Sequence, residues 1–181
     1  YLIAYEQDKE DTWLLSDIGW IYNELEKYDD GLQFLQKAQE LGREDSWIYA
    51  EIGQCLGRLG KYEEGIEKLK KALEILEEDK TNDNVDEKIF INSELAWLYG
   101  KLEESELEDS QPEEALKYLN IAKDLGREDA WIFEVKGIIS LDLKRYEEAL
   151  ESFKKAYDKD NNGWYLYSIG RCLRRLKRYE E

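Results

Sequence analysis

The densest run of one-signed chemistry in this sequence lies between Gly163 and Tyr179. It contains Arg171, Arg174, Arg175, Lys177 and Arg178 and no acid. Guanidinium forks could hold a carboxylate or an acidic peptide there. The plainer reading is a solvated helix whose arginines pair with acids on a neighbouring helix. Elsewhere the balance reverses: 43 Asp and Glu against 26 Lys and Arg give a formal charge of -17. Nucleic acid is therefore not an expected partner, since neutralising phosphates takes clustered Lys and Arg. An acidic surface fits solubility, or the steering of a basic partner. With no histidine in the chain, imidazole acid–base chemistry and His-ligated metal sites are excluded. No glycine-rich phosphate loop or nucleophile elbow occurs. The segment Asp158–Gly163 opens like a calcium loop, but Leu166 and Ile169 stand where later ligands belong, so turn chemistry explains it. No catalytic residue, metal site or cofactor is assigned.

The elements that carry these residues follow a 34-residue ruler. Gly19, Leu25, Tyr28, Gly31 and Ala38 recur 34 positions later as Gly53, Leu59, Tyr62, Gly65 and Ala72. The marks return as Ala96, Leu102, Ala115 and Ala122, then as Gly137, Leu143, Tyr146, Ala149 and Ala156, and last as Gly170, Leu176 and Tyr179. Such units bury their apolar faces only against neighbours, so the chain reads as a helical repeat array. Copies are expected at about 12–45, 46–79, 89–129 and 130–162, with a partial one at 163–181 and the end of a preceding one at 1–11. Acidic insertions occupy 80–88 and about 103–110, read as surface loop or helix extension. Without a flexible linker, one domain is expected.

Each copy reads as two antiparallel helices. In the second, Trp47, Ile48, Ile52, Cys55, Leu56 and Leu59 fall at helical spacing, then Ile66, Leu69, Ala72, Leu73 and Leu76, with a turn around Gly60 and Lys61 between them. Asp11, Asp45 and Asp129 are N-cap candidates, Ser110–Glu113 is a capping box, and Gly42 and Gly126 suit left-handed helix ends. Cys55 and Cys172 share a mark in different copies, too far apart to bridge, and are expected to be buried hydrophobes in a reducing compartment. Gly31 and Gly65 are read as mid-helix glycines, where only close helix approach would offset their cost of about 0.5–1 kcal/mol.

Small residues at the eighth, twentieth and twenty-seventh marks of every copy that reaches them resemble the tetratricopeptide repeat family, in the multi-repeat form found in bacteria. The resemblance spans nearly the whole chain. It departs where the family's aromatic at mark four is Leu15, Tyr49, Asn92, Phe133 or Leu166, and where its proline at mark thirty-two is Arg43 or Arg127. The resemblance implies an all-α, right-handed α-solenoid of antiparallel helix pairs. It also implies a concave groove lined by the first helices.

Residues facing that groove at variable marks are the ligand candidates: Trp20, Asn23, Arg58, Trp97, Lys101, Arg171, Arg174 and Arg175. The aromatics Trp13, Trp47, Phe90, Trp131 and Trp164 recur at mark two and are read as structural, with a peptide-gripping ladder as the alternative. The Lys–Asn clamp that some family members use for C-terminal carboxylates is absent from the opening copies, which hold Ser16, Trp20, Ala50 and Gln54. The expected function is a non-enzymatic scaffold for a protein or peptide, with no membrane association and a cytoplasmic location. The alternatives are an array that self-associates through its ends, giving a homo-oligomer, and a regulatory arm of an enzyme whose catalytic domain lies elsewhere.

Overall fold

A computed structural model of the protein describes residues 10–79, 84–104 and 112–180. Among these residues it is all helix. The elements are α1 (Thr12–Glu24), α2 (Tyr28–Glu40), α3 (Ser46–Arg58), α4 (Tyr62–Glu78), α5 (Val85–Glu104), α6 (Pro112–Asp124), α7 (Ala130–Asp142), α8 (Tyr146–Lys159) and α9 (Gly163–Arg175). The chain divides into two compact units, Tyr1–Glu94 and Leu95–Glu181, with the division falling inside α5. The end of a preceding repeat expected at 1–11 falls mostly outside the described residues, as do Ser110 and Gln111 of the expected capping box. Of the expected insertions, 85–88 form the first turn of α5, a helix extension; 80–83 and 105–110 lie outside the described residues.

Caps set the helix boundaries. Asp11 accepts from the Trp13 and Leu14 amides, Asp45 from Ile48 and Asp129 from Ile132. Asn162 caps α9 through the Trp164 amide. Each satisfies backbone donors that the first helical turn leaves unpaired. Gly42 and Gly126 end α2 and α6 at φ of 99° and 111°. At the turn where the second copy has Gly60, Glu26 and Lys144 take the same left-handed conformation with φ of 57° and 58°, a conformation that costs a side-chain-bearing residue roughly 1–2 kcal/mol.

Helix pairs interlock through the ruler's small residues. A methyl group built on Gly19 would lie 2.6 Å from Leu35 Cγ; on Gly53, 2.8 Å from Leu69 Cγ and 2.9 Å from the Gly65 carbonyl; on Gly137, 2.8 Å from the Phe153 ring. Gly31 and Gly65 are buried, and so is Ala149. The two glycines stand in the first turns of α2 and α4 rather than mid-helix. Their small size still serves close approach: a methyl on Gly31 would strike Asn23 Oδ1 at 2.5 Å. Around these crossings the first unit buries Leu15, Leu35, Ile48 and Ile52, and the second buries Leu150, Phe153 and Tyr165. Cys55 and Cys172 are free and buried.

Gly170 occupies the same mark in α9, yet a methyl there meets nothing within 4 Å. Gly53→Ala is therefore expected to destabilise the chain by about 1–3 kcal/mol through overpacking. Gly170→Ala should instead stabilise it by about 0.5–1 kcal/mol through helix propensity. Urea unfolding followed by circular dichroism checks the opposite signs; equal effects would remove steric interlock as the cause.

Candidate functional site

The mark-two aromatics are organised by arginine. Arg43 sends Nε to the N-cap carboxylate of Asp45 at 2.7 Å, while its guanidinium carbon lies 4.0 Å from the Trp13 ring centroid and 4.8 Å from that of Trp47. Arg127 repeats the device, with Nε to Asp129 at 3.1 Å and the Trp131 ring at 4.0 Å. One side chain thus ties the cap of a first helix to the aromatic in its first turn, by a charge-assisted bond and a cation–π contact. Trp164 packs edge-on against Phe153 and Tyr165, and Phe90 is half-buried. Trp13 remains 66% exposed despite its arginine.

In the first unit, α1, α3 and the first half of α5 contribute to a buried polar network. Asn23, 5% exposed, donates Nδ2 to Glu51 at 2.9 Å and accepts at Oδ1 from the Cys55 thiol at 2.7 Å. Both ends of its amide are engaged inside the protein. Asn23 consequently orients Glu51 instead of facing a ligand as the sequence suggests. Arg58 Nη2 bonds Glu94 Oε1 at 2.9 Å, and Gln54 reaches the same oxygen at 3.4 Å. Among the described residues Glu94 Oε2 has no hydrogen-bond partner, although the residue is only 7% exposed. Trp20, 44% exposed, lies on α1 one turn before Glu24. Glu24 is close enough to act electrostatically on Glu51.

Electrostatics here are strained. Burial is the largest influence on Glu51, raising its carboxyl from 4.5 to about 7, opposed by the Asn23 amide and reinforced by Glu94 and Glu24. Burial likewise pushes the Cys55 thiol up to about 12, opposed by its bond to Asn23, so this sulfur is not a nucleophile at neutral pH. Glu24 and Glu94 thus act electrostatically on Glu51, while Arg58 pairs with Glu94. Such a site attracts cations and repels anions.

The remaining sequence candidates belong to the second unit. Trp97 is half-buried, with the Lys101 ammonium 6.0 Å over its ring. Arg171, Arg174 and Arg175 are exposed on α9, Arg171 lying 6.0 Å over the Tyr167 ring. Among the described residues no cluster of His, Cys, Asp or Glu could hold a metal ion, and no helix is long and apolar enough to cross a membrane.

Two family models, both described as tetratricopeptide repeat, match this chain, one over residues 14–45 and 48–78 and the other over 104–163. The chain belongs to the tetratricopeptide repeat family. Solved structures agree on the fold. MamA from Desulfovibrio magneticus RS-1 (residues 41 to the end) is 17% identical with a TM-score of 0.74, over 93% of this chain and 87% of that one. YrrB, a tetratricopeptide protein with an unusual peptide-binding site, is 24% identical with a TM-score of 0.68, over 99% and 84%. TTC0263, a thermophilic tetratricopeptide protein of Thermus thermophilus, is 17% identical with a TM-score of 0.68, over 92% and 84%. No curated protein matches.

Against the tetratricopeptide pattern, the Arg43 and Arg127 clips stand where the family has proline. The repeated Leu-Gly-Arg-Glu-Asp-x-Trp-Ile string at 41–48 and 125–132 carried that signal. Sequence reasoning did not single out Glu51 and Glu94. Their only mark was recurrence at the sixth position beside the small residue of the eighth. Because the folded chain holds the Glu51 proton up to about pH 7 and an ordinary carboxyl loses it near 4.5, this group's stabilisation is full below about 4.5. It is lost as pH rises through 7. Glu51→Gln should therefore gain stability relative to wild type at pH 8, on the order of 3 kcal/mol, and little at pH 4. Denaturant titrations at the two pH values check this; a pH-independent difference would refute the assignment.

Proposed function

We propose that the chain is a protein-interaction scaffold whose first unit receives a basic, extended segment of a partner protein. The segment lies against Trp20 and presents a Lys or Arg side chain to Glu51 and Glu94. The observation that carries this reading is Glu94: a carboxylate at 7% exposure with one oxygen lacking a donor among the described residues. A buried acceptor left unpaired costs about 1–3 kcal/mol, and an incoming ammonium or guanidinium would supply both the donor and the charge. Asn23 and Arg58 hold the two carboxylates in place. Trp20, large and partly exposed, supplies the apolar anchor typical of interface hot spots. The fold supports the coarser reading, and YrrB's peptide-binding site is a precedent for peptide recognition on this architecture. The overall charge of -17 favours encounter with a cationic partner.

Fluorescence anisotropy with an extended lysine-containing peptide and its glutamate-substituted counterpart tests this. The basic peptide is expected to bind and the acidic one not. Trp20→Ala, which removes an exposed side chain, should weaken binding about tenfold, equivalent to about 1.4 kcal/mol. Glu94→Gln should weaken it further and flatten its salt dependence. Equal binding of both peptides, or a folded Trp20→Ala/Glu94→Gln protein with unchanged affinity, would overturn the proposal.

A further inference from the structure

The fourth copy departs from the others at two marks of the ruler. Mark seven, beside the small residue of mark eight, is Ile18, Ile52, Leu95 and Ile169 elsewhere, and the first three are buried. In the fourth copy it is Lys136, half-buried. Mark twenty-three elsewhere brings a large side chain onto an aromatic ring of the paired first helix. Phe34 stacks on Tyr22 with ring centroids 5.5 Å apart, Tyr118 on Tyr99 at 5.6 Å, and the Lys68 ammonium stands 5.5 Å over Tyr49. The fourth copy has Ser152 there, buried and too short to cover a ring. A pocket of about 100 Å³ lies at this place, bounded by α6, α7 and α8 and wholly within the second unit. Leu119, Ile132 and Phe133 give it an apolar floor, and Lys123, Lys136 and Lys155 line its mouth. Glu148 and Glu151 share the mouth, Glu151 being bonded to Lys155 at 2.6 Å. Three ammonium groups against two carboxylates leave one positive charge in excess, in a chain whose formal charge is -17.

We propose that this pocket binds a small aromatic carboxylate, its ring over Phe133 and its carboxylate between Lys123 and Lys136. Size limits the ligand to about one ring, since an apolar cavity of about 150 Å³ takes benzene. The preference for a ring follows from Phe133, because offset and edge contacts between rings add to simple burial. The excess of a single positive charge, with Glu148 and Glu151 close by, suits a monoanion and disfavours a phosphate dianion. Lysine where the repeat elsewhere buries isoleucine forfeits apolar burial and desolvates part of an ammonium group. A bound carboxylate offsets that loss with a charge-assisted hydrogen bond. The site is separate from the acidic one in the first unit and opposite to it in charge preference.

The probe is phenylacetate, with uncharged phenylacetamide as its control, followed through backbone amide shifts in heteronuclear NMR of the 181-residue chain. Saturable shifts of the Phe133 and Ser152 amides are expected with phenylacetate, at a dissociation constant on the order of 1 mM. Phenylacetamide should bind about tenfold more weakly. Ser152→Phe puts a ring at the mark where Phe34 stands, so it should keep the wild-type circular dichroism and lose binding. Lys136→Ile restores the residue of the first two copies and should fold while binding about tenfold more weakly. No saturable shift with wild type, equal affinity for phenylacetamide, or unchanged affinity in either folded variant would overturn the proposal.

Discussion

Everything in this fold depends on two helices approaching more closely than any side chain larger than glycine or alanine allows. At Gly53 a single added methyl would sit 2.8 Å from Leu69 Cγ and 2.9 Å from a backbone carbonyl; neither can yield without the helices moving apart. That contact fixes the register of one helix against the next, and register decides which side chains of the first helices are sealed and which face outward. Ala50 and Ser16 are fully buried by it, while Trp20 one turn beyond Ser16 is exposed.

Upon that frame the first unit places an unusual electrostatic load. Burying carboxylates is unfavourable unless donors compensate, and among the described residues Glu51 accepts from Asn23 and Glu94 from Gln54 and Arg58. A polar network of this kind adds little to stability. Its specificity for positive charge is a reason for a scaffold to carry it. The arginine clips at Arg43 and Arg127 contrast with it, since each pairs its Nε with an aspartate two residues on and its guanidinium with a tryptophan four residues on, at a helix start.

The fold was legible because its causes are local or periodic. Small residues recur every 34 positions, Asp11, Asp45 and Asp129 precede apolar helices, and Gly42 and Gly126 follow them. The candidate site was legible only in part. Trp20 stood out as an aromatic at a variable position and is exposed, but Asn23, read as a ligand contact, is buried with both ends of its amide engaged. Glu51 and Glu94 escaped notice because glutamate on a helix ordinarily faces water, and their burial arises from packing between copies that no single copy's sequence displays. The division of the chain within α5 was equally invisible, since the ruler runs through it with only an insertion on either side.

The most direct test follows the indole N–H resonances of the six tryptophans during titration with a lysine-containing extended peptide. The account predicts a progressive shift of the Trp20 resonance, strongest at low salt, while Trp131, held under Arg127, stays unmoved. A saturable shift of Trp131 with Trp20 unchanged would contradict it.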